Sequence, residues 1–204
     1  MAITIVNYGM GNLRSVQNAF NFLGAESEIV GDPGAIACSR RLLLPGVGSF
    51  ARAMKNITER KIDTAIYEAV DAGASVLGIC LGMQLLASEG EEDGISMGLG
   101  LIPGRVVRMH PTGGLKVPHV GFNTLIGQSH HGGLLDGLER DSDFYFLHSF
   151  CLVPDDRQVV IGTVDYGGEV VCAVRKNKVL GVQFHPEKSQ NNGLRLLRNF
   201  LDRI

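Results

Sequence analysis

No surplus of basic charge marks this sequence. In 204 residues, 19 Lys and Arg stand against 21 Asp and Glu, a net charge of −2. A nucleic-acid or anionic-membrane binder would need a basic patch that this balance does not supply. No apolar run approaches the roughly 18 residues of a membrane span, and Met1–Gly11 carries no basic residue, so neither a transmembrane segment nor a signal peptide is expected. The 4 cysteines, Cys38, Cys80, Cys151 and Cys172, are irregularly spaced and form no C-x-x-C pair. That argues against a disulfide framework or a zinc site and suits a reducing, cytoplasmic setting. Disorder is excluded by composition, with 45% hydrophobic and only 20% charged residues. Glycine is what the chain has in excess: 27 without a period, as tight turns or backbone close to a ligand require.

Periodicity gives the fold class. Ala2–Val6 is a buried-strand run, Asn7–Asn12 a Gly-rich turn, and Leu13, Val16, Phe20 and Leu23 recur at helical spacing until Gly24. Glu26–Val30 reads as a strand and Gly31–Gly34 as a turn. Leu42–Leu44 is a third strand, expected to break at Pro45. Helical stripes follow at Phe50, Met54 and Ile57 and at Ile62, Ile66 and Ala69. Ser75–Ile79 is a fourth buried strand, running into Cys80 and an apolar helix through Leu86. Strand–helix alternation predicts βαβ units on a parallel sheet. The second half changes character: Val106–Met109, Val117–Val120, Phe144–His148, Val159–Val164, Val170–Arg175 and Val179–Gln183 read as short strands before a closing helix around Leu194–Leu201. The expectation is an α/β fold, a central, mostly parallel sheet flanked by helices with antiparallel strands added in the C-terminal half. One domain over residues 1–204 fits the length.

The sharpest chemical signal is Gly78-Ile79-Cys80-Leu81-Gly82-Met83-Gln84. A nucleophile on a sharp strand-to-helix turn needs small residues two positions either side, the logic of the G-x-S-x-G elbow with sulfur in place of oxygen. A sulfur at a helix N-terminus is also favoured as thiolate, the attacking species. The bland alternative is a core cysteine at a tight junction. Cys38, Cys151 and Cys172 lack this setting and read as buried small hydrophobes.

The second signal is His185-Pro186-Glu187. Proline holds the residue before it extended, and a carboxylate beside an imidazole fixes its tautomer and stabilises its charged form. Such a pair is common on surfaces and gains weight only with Cys80, since both would sit at the carboxyl edge of one sheet. The third is Leu44-Pro45-Gly46-Val47-Gly48-Ser49, where two glycines let a peptide turn its N–H toward an oxyanion. Alone, an ordinary loop is the simpler reading.

Together these motifs resemble the class I (triad) glutamine amidotransferases. Asn7–Leu13, Leu44–Phe50, Val117–Asn123 and Gln183–Ser189 further resemble the glutaminase subunits of imidazole glycerol phosphate synthases, and the likeness runs over essentially the whole chain. The resemblance implies that Cys80 attacks the side-chain amide of L-glutamine, His185 acts as base and acid, and Glu187 orients it. It implies an oxyanion hole of backbone N–H groups at Val47, between Gly46 and Gly48, and at Leu81. Gln84, Glu92, Ser149 and Phe150 match positions that hold glutamine. Asn12, Pro118, His119, Phe122 and Lys188 fall where the family meets its partner, a (β/α)8-barrel cyclase that takes the ammonia. No cofactor and no metal are implied. Physical reasoning also favours a partner, because free ammonia is mostly protonated at neutral pH and diffuses away. The family usually has Trp where Phe122 stands and Tyr where Phe150 stands. Relatives that feed sugar-amidating synthases of surface polysaccharides therefore remain an alternative.

Other readings compete. Gly9-Met10-Gly11-Asn12-Leu13-Arg14 approaches the dinucleotide fingerprint, with Asp32 as the ribose acid, but Arg14 replaces the third glycine. A non-catalytic relative would be expected to lack the triad, and a stand-alone cysteine hydrolase would not need Gln84. His130-His131 and His110 read as loop, His119 and His148 as strand-end histidines, Glu89–Asp93 as a solvated run, and Arg195 and Arg198 as the wet side of the last helix.

Overall fold

The computed structural model describes residues 2–127, 133–139 and 141–204. The first half alternates as β1 (Ile3–Val6), α1 (Leu13–Phe22), β2 (Ser27–Val30), α2 (Pro33–Ala37), β3 (Arg41–Gly46), α3 (Phe50–Glu59), α4 (Ile62–Asp71), β4 (Ser75–Cys80) and α5 (Leu81–Leu85). Short strands follow: β5 (Glu89–Gly90), β6 (Ser96–Met97), β7 (Gly104–Arg108), β8 (His119–Thr124) and β9 (Ile126–Gly127). The chain then forms β10 (Asp143–His148), β11 (Phe150–Pro154), β12 (Val160–Asp165), β13 (Glu169–Lys176), β14 (Val179–Val182) and α6 (Gln190–Arg203).

Among the described residues, the main sheet has 8 strands in the order β2-β1-β3-β4-β14-β13-β12-β9. Pairing is parallel from β2 through β14 and antiparallel beyond it. β4 is buried at every position, as a central parallel strand covered on both faces must be. Alternate side chains feed two cores: Leu42, Leu44 and Val76 pack on one face, Leu43, Leu77 and Ile79 on the other. Two small sheets among the described residues, β10-β8 and β11-β7-β5-β6, lie outside the main sheet. The α/β class with a mostly parallel sheet and added antiparallel strands is as the sequence predicts.

Several boundaries differ for physical reasons. β3 does not break at Pro45 but pairs onward, Pro45 against Ile79 and Gly46 against Cys80. Its pairing with β1 ends at Leu43, so the missing proline N–H has no partner to disappoint, and the Pro45 carbonyl instead accepts the Tyr8 hydroxyl at 2.7 Å. The turn expected at Gly31–Gly34 is the start of α2: Asp32 Oδ1 accepts the Ala35 N–H at 2.9 Å and Pro33 occupies the first turn. The strand expected at Val117–Val120 lies later, at His119–Thr124, and β11 was not anticipated. Cys172 is buried as expected, but Cys38 is exposed and Cys151 only half-buried.

Candidate active site

Cys80 ends β4 and opens α5 with φ +54° and ψ −111°, a strained conformation for a residue with a Cβ. The flanking glycines make the turn possible. A Cβ on Gly78 would come 2.5 Å from the Gly82 carbonyl oxygen, and one on Gly82 would fall onto the Leu44 carbonyl. Leu81 begins the helix, so its N–H has no partner within it. Cys80 Sγ receives the Gln183 amide at 3.8 Å and lies 3.8 Å from the Leu147 carbonyl oxygen.

β14 pairs with β4 so that Val182 stands beside Ile79, which brings Gln183 alongside Cys80 and His185 just beyond. His185 is extended ahead of Pro186, and its N–H is fixed to the Tyr145 carbonyl at 2.8 Å. Its Nδ1 meets Glu187 Oε1 at 2.8 Å, both side chains being almost fully buried. Nε2 is buried and completes no hydrogen bond, as does Glu187 Oε2. Burial would lower the His185 pKa. Its hydrogen-bonding proximity to Cys80 and to Glu187, and their charges, outweigh that and push it up to about 9. The raised pKa favours the protonated ring beside the sulfur.

A cavity of about 370 Å³ opens over Cys80, within the range of small-molecule sites. It is lined by Val47, Gly48, Ser49, Leu81, Gln84, Glu92, Pro118, Leu147, His148, Ser149 and Phe150 besides Cys80. The structure thus gathers the residues expected around glutamine, except Gly46, which lies in β3 beneath the loop. Gly46 must be glycine: a Cβ there would collide with the Tyr8 hydroxyl and come 2.9 Å from Leu81 Cβ. Glu92 Oε2 accepts the Phe50 N–H at 2.8 Å, and Asp93 accepts the Ser49 hydroxyl at 3.2 Å. The acidic run is therefore not simply solvated: two of its carboxylates pin the start of α3. Gln84 Nε2 donates to the Phe150 carbonyl at 3.0 Å and to Gln183 Oε1 at 3.1 Å.

The residues expected at a partner surface divide. Phe122 is 53% exposed and meets Tyr145 edge-on at 5.6 Å, while Lys188 Nζ lies 5.6 Å over the same ring. Val120 and Leu147, directly paired across β8 and β10, extend this exposed apolar ladder to the cavity mouth. Pro118 is exposed and lines the cavity. Asn12 is exposed, with Oδ1 capping α1 at Ser15 N–H. His119 is a correction: it is buried, its ring stacked on Phe146 at 4.6 Å and on Tyr166 at 3.9 Å. Arg198 is another, since it donates to the Leu23 carbonyl at 2.6 Å instead of lying free in water.

Sequence reasoning gives Tyr8 and Gln183 no role beyond their motifs and reads His148 only as a strand-end histidine, which it is, at the end of β10. Tyr8 lies within a quoted motif, but nothing local says that its hydroxyl crosses to Pro45. The dinucleotide reading of Gly9-Met10-Gly11 finds no open cradle: Gly11 packs on the Pro45-Gly46 backbone, and Met10 stands where a Cβ on Gly48 would go. Among the described residues, no group of three or more His, Cys, Asp or Glu could hold a metal ion; His130-His131 lie outside them. Among the same residues, no helix is long and apolar enough to cross a membrane.

A cysteine on a strained strand-to-helix turn and, just beyond the adjoining strand, a buried histidine–carboxylate pair make up the candidate site. The class-I glutamine amidotransferase family model matches residues 4–204, and the chain belongs to that family. It is an enzyme of the glutamine amidotransferase class. Among curated proteins, it is 46% identical to imidazole glycerol phosphate synthase subunit HisH of Moorella thermoacetica, over 97% of this chain and 93% of the relative. It is 47% identical to subunit HisH 2 of Vibrio vulnificus, over 99% of this chain and 94% of the relative. Solved structures agree on the fold: PurLQS from Thermotoga maritima superimposes with a TM-score of 0.74 at 20% identity, covering 98% of this chain and 97% of that one.

Proposed function

We propose that this chain is the glutaminase subunit of an imidazole glycerol phosphate synthase, hydrolysing L-glutamine and passing ammonia to a (β/α)8-barrel cyclase in histidine biosynthesis. The observation that carries the chemistry is the convergence of Cys80, His185 and Glu187 at the carboxyl ends of paired strands β4 and β14, under a cavity of about 370 Å³. The full-length likeness to HisH subunits supports the pathway.

In this reading Cys80 attacks as a thiolate, its proton resident on His185. The carbon–sulfur bond forms at the glutamine side-chain carbonyl, and the oxygen becomes an oxyanion received by the N–H groups of Leu81 and Val47. Collapse breaks the carbon–nitrogen bond. His185 Nε2 gives its proton to the departing nitrogen, which leaves as ammonia, and a γ-glutamyl thioester stays on Cys80. Neutral His185 then takes a proton from water, the resulting hydroxide attacks the thioester, the carbon–sulfur bond breaks to restore the thiolate–imidazolium pair, and the new carboxyl group loses its proton to solvent as glutamate leaves. Glu187, receiving Nδ1–H at 2.8 Å, holds Nε2 toward the sulfur and stabilises the imidazolium.

The exposed side chains of Phe122, Val120 and Leu147, with half-buried Tyr145 among them and Lys188 at their edge, support docking of the ammonia acceptor beside the site. Phe122 is the first place to look for which synthase is served, a sugar-amidating one being the alternative. The test is a glutamine analogue bearing an electrophilic diazoketone. Covalent capture at Cys80, found by peptide mass mapping and suppressed by excess glutamine, supports the assignment; labelling that ignores Cys80 refutes it.

A further inference from the structure

His119 and His148 take no part in that chemistry, yet both are buried beside it, 2% and 6% exposed. His148 ends β10 and lines the cavity; His119 opens β8 and pairs directly opposite. Their hydrogen bonds leave one role for each ring nitrogen. The Phe150 carbonyl can only accept, so His148 Nδ1, 2.9 Å away, carries a hydrogen. Burial holds both imidazoles neutral, with pKa values lowered to about 4. His148 Nε2 is therefore an acceptor, and His119 Nδ1, facing it at 3.1 Å, is the donor. That leaves His119 Nε2 to accept, and the Asn123 amide approaches it at 3.4 Å while also donating to the Asp165 carbonyl at 3.0 Å.

The relay ends on a carbonyl with a second duty. Phe150 O also accepts from Gln84 Nε2, and Gln84 donates to Gln183, whose amide reaches Cys80 Sγ. Gln84 and Phe150 both line the cavity. We propose that His119 and His148 are positioning residues for glutamine: a hydrogen-bonded imidazole pair that sets the Phe150 carbonyl and Gln84, and so the wall against which the substrate rests. The inference rests on the glutaminase reading above.

Two substitutions separate the hydrogen bond from the packing. His119→Phe keeps a ring between Phe146 and Tyr166 but leaves His148 Nε2 without its donor. His119→Asn offers an amide N–H where Nδ1 stands and gives up the stack. Glutamate release by the complex with its cyclase should show a roughly tenfold rise in KM for His119→Phe, with kcat little changed, the size expected for one orphaned buried acceptor. His119→Asn should return KM close to that of the unsubstituted protein while melting lower. Equal KM in both variants, or no rise in His119→Phe, overturns the proposal. Should His119→Phe fail to fold, long-range proton–nitrogen spectra of the unsubstituted protein decide instead. Both rings must appear as neutral Nδ1–H tautomers at neutral pH; an Nε2–H tautomer or an imidazolium overturns it. Absent glutamate release in the unsubstituted complex would refute the glutaminase reading and leave the spectra to judge the pair.

Discussion

Replacing Glu187 with Gln asks how much of the catalytic power of His185 comes from one buried charge. The Gln side chain can still present an oxygen to Nδ1–H, now 2.8 Å from Glu187 Oε1, so orientation survives. The carboxylate does not. An opposite charge in contact typically raises an imidazole pKa by about one to three units, each worth about 1.4 kcal/mol. His185 is held up to about 9 against its burial, with Glu187 contributing both a hydrogen bond and a charge. Because the pKa is raised, the protonated form that donates to the leaving nitrogen is present below it and lost as pH rises through it. The alkaline limb of kcat/KM for glutamine should therefore fall near pH 9 in the unsubstituted enzyme. In Glu187→Gln it should move about one to three units toward neutrality. Loss of a charge-assisted hydrogen bond of about 1.5–3 kcal/mol should lower kcat roughly 10- to 100-fold. Glu187→Ala, which leaves Nδ1–H buried with no acceptor, should be worse still. The assay is glutamate release across pH for the three proteins. An unmoved limb with unchanged kcat in Glu187→Gln would refute the orienting role.

Other perturbations separate scaffold from chemistry. Cys80→Ala should abolish glutamine-dependent synthesis by the complex and spare synthesis from added ammonia, checked by following product from either nitrogen source. Gly82→Ala places a methyl on the Leu44 carbonyl, so thermal melting should show a loss of about 2 kcal/mol or more and activity should fall with it. His119 and His148 titrate near 4 when folded against 6.5 ordinarily, so their neutral burial favours folding above about 6.5 and that contribution is lost as pH falls toward 4. Melting temperature measured across that window should drop, and drop less in His148→Asn. Phe122→Ala and Lys188→Ala should weaken cyclase binding in calorimetry while leaving the melting temperature nearly unchanged, since both side chains are largely exposed.

What could be read from the sequence was what short-range pattern encodes. Gly78-Ile79-Cys80-Leu81-Gly82 announces its turn because a sharp bend at Cys80 needs small residues two positions either side, and a Cβ on Gly78 would meet Gly82 itself; that Gly82 also packs on the Leu44 carbonyl depends on β3, distant in sequence. His185 beside Pro186 and Glu187 is equally local. The βαβ alternation follows from apolar runs that must be buried on both sheet faces. What was hidden depends on strands distant in sequence. Gln183 reaches Cys80 only because β14 pairs in register with β4, and Tyr8 supports Pro45 across 37 positions. His119 carries a strand-end position that would suit either surface or core; the rings of Phe146 and Tyr166 decide for the core. Pro45 misled because its cost depends on whether a neighbouring strand needs the N–H, and here β1 has already ended. The carboxylate of Asp93 looked solvated because its acceptor role is defined by Ser49 at the start of α3, remote along the chain.

The most direct test is glutamate release from glutamine by the purified chain, alone and with an imidazole-glycerol-phosphate-type cyclase and its phosphoribosyl nucleotide substrate. The account predicts that release depends on Cys80, rises in the complex, and keeps pace with imidazole product formed from glutamine nitrogen. Glutamate release that survives Cys80→Ala would contradict the chemistry, and release with no response to the cyclase would contradict the assigned synthase.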